Sequence, residues 1–174
     1  MTDWHQIVQR HSGLVWRTAY RLLGRDDEAA DCLQETFLVA WEVSKTQKVR
    51  HWPALLVRVA TRRALDRLRR RLRQASRSQD LSDWSSVPSR QPSPQDHAEA
   101  GELAQRLREA IGKLPEHQAE AFCLRCLDEF SYRDIARQME MKVSAVSVLI
   151  FRARQKLAEL LEQPVRQMRA EVEP

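Results

Sequence analysis

Apolar side chains recur every third or fourth residue along most of this chain, and that spacing restricts it to helices. Trp4, Ile7, Val8, His11, Val15, Ala19, Leu22 and Leu23 form the first stripe, and Gly24 closes it as a glycine past a helix end does. Asp26 or Asp27 is expected to cap a second helix with an acidic first turn, its stripe running through Ala30, Leu33, Phe37, Leu38 and Trp41. Pro53 fits the first turn of a third helix, which carries Leu56, Val59, Ala60, Leu65 and Leu68. No run of alternating β-branched residues competes with this pattern. Only 4 glycines and 7 prolines interrupt 174 residues. The fold class expected is all-α.

The pattern lapses once. Residues 76–98 are rich in Ser, Pro, Gln and Asp and hold no periodicity beyond a small apolar patch of Leu81, Trp84 and Val87. They read as a flexible linker between two small helical domains, residues 1–75 and residues 99–163, with a frayed tail over 164–174. In the second domain, Leu103, Leu107, Ala110 and Ile111 share a helix face. Leu114-Pro115-Glu116 breaks that helix, and Ala119, Phe122, Cys123 and Cys126 make the next stripe.

The formal net charge of +5 is unevenly spread. The run "RRALDRLRRRLR", Arg62 to Arg73, contains a single acid, Asp66. Such a segment suits a polyanion better than a small-molecule substrate, although a solvated helix face would look similar. The 3 cysteines, Cys32, Cys123 and Cys126, are too sparse for a disulfide framework. There is no apolar core for a signal peptide and no apolar run of membrane length, so a cytoplasmic location is expected. Cys123 and Cys126 form a lone CxxC without the further ligands that zinc needs, and they read as buried thiols. No nucleophile–base pair and no glycine-rich phosphate loop is present. The expectation is a protein that is not an enzyme, with no catalytic residue, no metal, no cofactor and no small-molecule substrate.

The stretch "SYRDIARQMEMKVSAVSVLIFRARQKL", Ser131 to Leu157, holds two short stripes across a break. Ser131 is a natural N-cap, with Asp134 at the capping-box position. Ile135, Ala136 and Met139 face inward on the first helix; Val143, Val146, Ile150, Ala153 and Leu157 do so on the second. This is helix-turn-helix spacing, in which the second helix enters a DNA major groove. An ordinary helical hairpin would share it.

The block from Leu114-Pro115-Glu116 through Ser131-Tyr132-Arg133-Asp134-Ile135-Ala136, Val146 and Arg152-Ala153-Arg154 resembles region 4 of the sigma-70 family, extracytoplasmic-function (ECF) group. "AYRLLG" (Ala19–Gly24), "DCLQETFLVAW" (Asp31–Trp41) and "RVATRRALDRLRRR" (Arg58–Arg71) resemble region 2, in the family's order. The resemblance implies a transcription initiation factor whose partners are core RNA polymerase and promoter DNA. It implies that Asp31, Gln34, Glu35, Phe37 and Trp41 dock on the β′ clamp coiled coil, with region 4 at the β flap. It implies that Lys45, Lys48, Arg50, His51 and Trp52, in the loop where the family receives a flipped base, handle the −10 element. Cations and aromatics suit single-stranded DNA. Arg62, Arg63, Arg67, Arg69 and Arg70 would lie against phosphates. At −35, Ser144, Ser147, Val148, Phe151, Arg152 and Arg154 would face the duplex, the apolar members meeting thymine methyls. Departures from the family pattern are Arg62 in place of Asn, Glu140 in place of the turn's Gly, and Lys142 in place of a Ser or Thr cap. Many family members are held inactive by an anti-sigma factor. Two other readings stay open: a helix-turn-helix regulator that binds duplex DNA without polymerase, and a helical protein-interaction adaptor with a degenerate DNA-binding helix.

Overall fold

The computed structural model describes the backbone of residues 3–81 and 95–172, with the side chains of 3–77 and 101–162. Every regular element among those residues is a helix: α1 Trp4–Leu23, α2 Asp26–Thr46, α3 Trp52–Leu81, α4 Gln95–Gly112, α5 Glu116–Cys126, α6 Tyr132–Gln138 and α7 Val143–Val172. The all-α expectation is borne out. Helix α3 continues past the expected linker start at Ser76, and α7 runs through most of the expected tail. Trp84 and Val87 lie outside the described residues.

Local chemistry explains the helix ends. Gly24 takes a left-handed conformation (φ 69°), and its N–H reaches the Tyr20 carbonyl. The cap of α2 corrects the expectation: Arg25 holds the cap position without a side-chain bond, while Asp26, Asp27 and Glu28 fill the first turn. There their charges complement the exposed N–H groups. Ser131 caps α6 as expected, accepting from the Asp134 N–H at 3.1 Å. The Asp134 carboxylate reaches back to the Ser131 hydroxyl rather than to its backbone N–H.

Helices α1, α2 and α3 form one group; α5, α6 and α7 form another; α4 lies against both α3 and α7. The two groups share a core. Leu22, Leu23, Leu65 and Leu68 from the first are buried together with Cys123 and Leu157 from the second, and with Ile111 of α4 and Leu114 just after it. Val57 of α3 joins Leu124, Ile135 and Ile150 in another cluster. The opposite flank of α3, Leu56 and Ala60, packs with Val15, Phe37 and Ala40. Helix α3 is thus apolar on two sides, one for each group. Gly112 ends α4 where a β carbon would stand 2.5 Å from Leu72 Cδ1, so its bare backbone lets α4 close on α3.

The buried stripe of α2 is Ala29, Cys32, Thr36, Phe37 and Ala40. Ala30 is exposed, as are Leu38 (62%) and Trp41 (43%). These three were expected on the inward face. Phe37 apart, the inward face is made of small and weakly polar residues, which a hydrophobic period marks poorly.

Candidate nucleic-acid interface

Three surfaces collect the residues singled out by sequence. The first is the outer face of α2. Asp31, Gln34, Leu38 and Trp41 fall three and four residues apart, which aligns them along one side of a helix, and all four are exposed. The Trp41 ring lies under Lys45 Nζ at 3.4 Å, and Lys45 pairs with Glu42 at 2.7 Å. Leu38 belongs to this surface, which sequence reading missed by assigning it to the core. Phe37 does not. It is 9% exposed, wedged among Val15, Ala40 and Leu56, and it supports the surface from behind. Glu35 is half-buried and holds Arg67 Nη2 at 2.7 Å, with Asp31 at 3.5 Å on the same guanidinium.

The second surface is the 47–51 loop with α3. Lys48, Arg50 and His51 are exposed. His51 Nδ1 accepts from the Ala54 N–H at 3.2 Å, so the imidazole caps the start of α3. Trp52 is half-buried and meets Trp4 edge-on at 5.1 Å, which anchors the loop's end to α1. Behind the loop, between it and α6, lies a cleft of about 520 Å³ lined by Lys48, Arg50, Arg58, Asp134 and Arg137 among others.

The arginines of α3 do not present a uniform basic face. Arg67 binds α2, as above. Arg62 pairs with Glu116 at 3.5 Å, and Arg69 donates to the Leu114 carbonyl at 3.2 Å. Arg63 and Arg70 are exposed and carry no ion pair among the described residues. They stand seven residues apart, on one side of α3.

An ion pair not anticipated from sequence joins Arg58 Nε to Glu120 Oε1 at 3.0 Å, with the Glu120 side chain only 2% exposed. Nearby, Asp128 accepts from Thr18 Oγ1 at 3.1 Å and pairs with Arg21 at 2.9 Å. Burial pushes the Asp128 carboxyl above its ordinary range, against the opposing pull of Arg21 and Thr18. No sequence signal distinguishes Glu120 from a surface glutamate, because its partner is 62 residues away.

The third surface is the helix-turn-helix. Helix α6 ends at Gln138, with Met139 as its C-cap. Glu140 then sits at φ 55°, and the Met141 N–H bonds the Ala136 carbonyl at 3.0 Å, which is a left-handed helix stop. Val146, Ile150, Ala153 and Leu157 are buried as expected, whereas Val143 is 43% exposed. Ser144, Ser147, Val148, Phe151, Arg152 and Arg154 are all exposed. Val148 (46%) and Phe151 (61%) give this face an apolar centre. Arg154 Nη2 lies 3.7 Å from the sulfur of Cys126. Cys126 is exposed, so of the CxxC pair only Cys123 meets the expectation of a buried thiol; Cys32 is buried as well. No group of His, Cys, Asp and Glu able to hold a metal occurs among the described residues. None of the described helices is long and apolar enough to cross a membrane.

The family model for sigma-70 region 2 matches residues 7–74, and that for sigma-70 region 4 matches residues 104–157. The chain is 31% identical over 144 residues to the ECF RNA polymerase sigma factor EcfG of Rhodopseudomonas palustris, covering 82% of this chain and 76% of that protein. It is 32% identical to the ECF RNA polymerase sigma factor SigE of Mycolicibacterium smegmatis, covering 92% of this chain and spanning 62% of the length of SigE. Among solved structures it resembles CnrH in complex with the cytosolic domain of CnrY, with a TM-score of 0.58 at 25% identity, covering 92% of this chain and 88% of that one.

Proposed function

The chain belongs to the RNA polymerase sigma factors of the sigma-70 family, in their extracytoplasmic-function (ECF) group, and on that footing we propose that it binds core RNA polymerase and directs it to promoters. It supplies specificity to the polymerase's active site and performs no bond chemistry itself. The observation that carries this reading is the ordered set of three surfaces on the matched regions: an acid-and-apolar stripe, a basic aromatic loop running into an arginine helix, and a helix-turn-helix.

On this reading the α2 stripe of Asp31, Gln34, Leu38 and Trp41 docks on the β′ clamp coiled coil. Exposed Leu38 and Trp41 supply the area that desolvation rewards, and the polar members set the register. Phe37 keeps α2 rigid beneath them. Lys48, Arg50 and His51 track the displaced single strand, and Arg63 and Arg70 hold its phosphates. Helix α7 enters the −35 major groove, region 4 being held at the β flap. Ser144 and Ser147 offer hydroxyls to base edges, Val148 and Phe151 offer apolar contact to thymine methyls, and Arg152 and Arg154 hold the flanking phosphates. Residues 1–75 and 99–163 are then the polymerase-and-melting unit and the −35 unit. An anti-sigma factor is a further partner on this reading, in keeping with the capture of CnrH together with CnrY.

In vitro transcription tests the reading. The purified chain, core polymerase and fragmented genomic DNA from its source are combined, and transcript 5′ ends are sequenced. Discrete new starts sharing two upstream elements are expected. Binding to core without new starts would leave docking intact and remove promoter reading. No binding to core would sink the sigma-factor function. Charge reversal at Glu35 (Glu35→Lys) together with a cation introduced at Gln34 (Gln34→Lys) is expected to abolish core binding, which neither a polymerase-independent regulator nor an adaptor would require.

A further inference from the structure

Between the 47–51 loop and α6, the cleft of about 520 Å³ has the size and lining of a small-molecule site. Val43, Val49, Leu55 and Phe130 line it with half-buried apolar surface. Lys48 and Arg50 line it too, exposed and without an ion pair among the described residues. The other lining charges are mostly engaged elsewhere. Arg58 holds Glu120 at 3.0 Å, and Arg137 holds Asp134 at 3.5 Å. Glu140 is the one lining acid with no ion pair among the described residues, so the free charge is positive on balance.

One group in this cleft lacks what buried polar groups require. Gln138, at the C-terminal end of α6, lines it, and the Gln138 carboxamide is buried with neither Oε1 nor Nε2 hydrogen-bonded. A donor and an acceptor left unmet in the interior are costly, and a ligand that meets both recovers that cost. Such a ligand carries a donor and an acceptor side by side. A nucleobase edge does so, its ring suits apolar walls, and a phosphate joined to it suits two free cations.

We propose that this cleft is a mononucleotide site: the Gln138 carboxamide pairs with an edge of the base, Val49, Leu55 and Phe130 cover the base, and Lys48 and Arg50 hold the phosphate. Adenine is the base that fits, because its N7 acceptor and N6 amine match a glutamine amide in two bonds. The site is composite. The loop comes from the first helix group and Gln138 from the second, so neither group forms it alone. It stands on the geometry of the cleft and does not depend on promoter recognition. Lys48 and Arg50 are also the cations assigned to a single strand, whereas Gln138 has no other assignment.

Isothermal titration calorimetry of the full-length chain tests the site with adenosine 5′-monophosphate, adenosine and ribose 5-phosphate. The monophosphate is expected to saturate a single site with a dissociation constant of about 0.1 mM or tighter. Adenosine lacks the phosphate and ribose 5-phosphate lacks the base, and each should bind at least about tenfold more weakly. Gln138→Leu should keep the fold, since it removes an unpaired amide and breaks no bond, and should weaken the monophosphate about tenfold. Circular dichroism checks the fold; if helix content is lost, the comparison of the three ligands carries the test alone. No saturable binding of the monophosphate in the millimolar range would overturn the proposal. Ribose 5-phosphate binding as tightly as the monophosphate would overturn it too, because the cleft would then be a charged patch without base recognition. So would an unchanged affinity in folded Gln138→Leu. A mixed-sequence single-stranded oligonucleotide, measured by fluorescence anisotropy, should bind native chain and variant alike. A parallel loss of its affinity in the variant would overturn the proposal by making the cleft part of the strand's path.

Discussion

Glu129 and Glu140 stand at φ 60° and 55°, in the left-handed region where a β carbon crowds the following carbonyl. Each follows a helix end, with the next N–H bonded back into that helix: Phe130 to Leu124, six residues back, at 2.9 Å, and Met141 to Ala136, five residues back, at 3.0 Å. The stop geometry is that of a glycine, written here with glutamate. Glu140→Gly is therefore expected to raise stability by about 0.5–1 kcal/mol, the removed strain exceeding the added unfolded-state entropy; a denaturation midpoint measures it. The cysteines also divide residue by residue. Burial pushes the Cys32 thiol up to about 11 and pushes Cys123 higher still. Cys126 is exposed. At pH 8, one fast alkylation per native chain is expected, at Cys126, rising to three once the chain unfolds. Intact-mass spectrometry counts them. The sign of the pH dependence follows. Above pH 9.0, the ordinary thiol value, the unfolded chain releases protons that Cys32 and Cys123 retain in the fold. The native state then binds more protons, and stability falls as pH rises.

Helix α2 sets two neighbouring apolar residues to opposite tasks. Phe37, 9% exposed, is packed among Val15, Ala40 and Leu56, so Phe37→Ala should cost about 3–5 kcal/mol. Leu38, 62% exposed, should tolerate Leu38→Asp within about 0.5 kcal/mol while core-polymerase binding falls at least tenfold. Chemical denaturation and a polymerase pull-down, run on both variants, separate the two roles. The same helix shows where sequence reading stops. The 3.6-residue period located every helix among the described residues, because helix existence depends on local spacing. It placed Ala30, Leu38 and Trp41 inside because it looks for one apolar side, and α2 has a second that faces outward. The side that is buried, with Ala29, Cys32 and Thr36, is nearly silent on a hydrophobic scale. Helix α7 was more legible: four of the five expected inward residues are buried, and the exposed set of Ser144 to Arg154 needed only the complement of that stripe.

At the scale of the molecule, the grouping into two sets of helices follows from the break in periodicity after Ala75, but their contact does not. The residues that join them, such as Leu68 with Ile111 and Arg58 with Glu120, are long-range pairs with no local mark. The shared core predicts joint unfolding. Tryptophan fluorescence, dominated by Trp4, Trp16, Trp41 and Trp52 of the first group, should report the same transition midpoint as trapping of the buried Cys123 thiol of the second. Two separated midpoints would mean that the groups melt independently. The pairing of Arg62, Arg67 and Arg69 within the chain bears on how the protein is partitioned in a cell. A genome offers millions of non-specific sites, and any protein with an open arginine helix is soaked up by them. Each guanidinium satisfied at home subtracts one phosphate contact from that background and weakens it steeply at physiological salt. A chain that keeps its cations to itself stays in the unbound pool, where a scarce polymerase can find it.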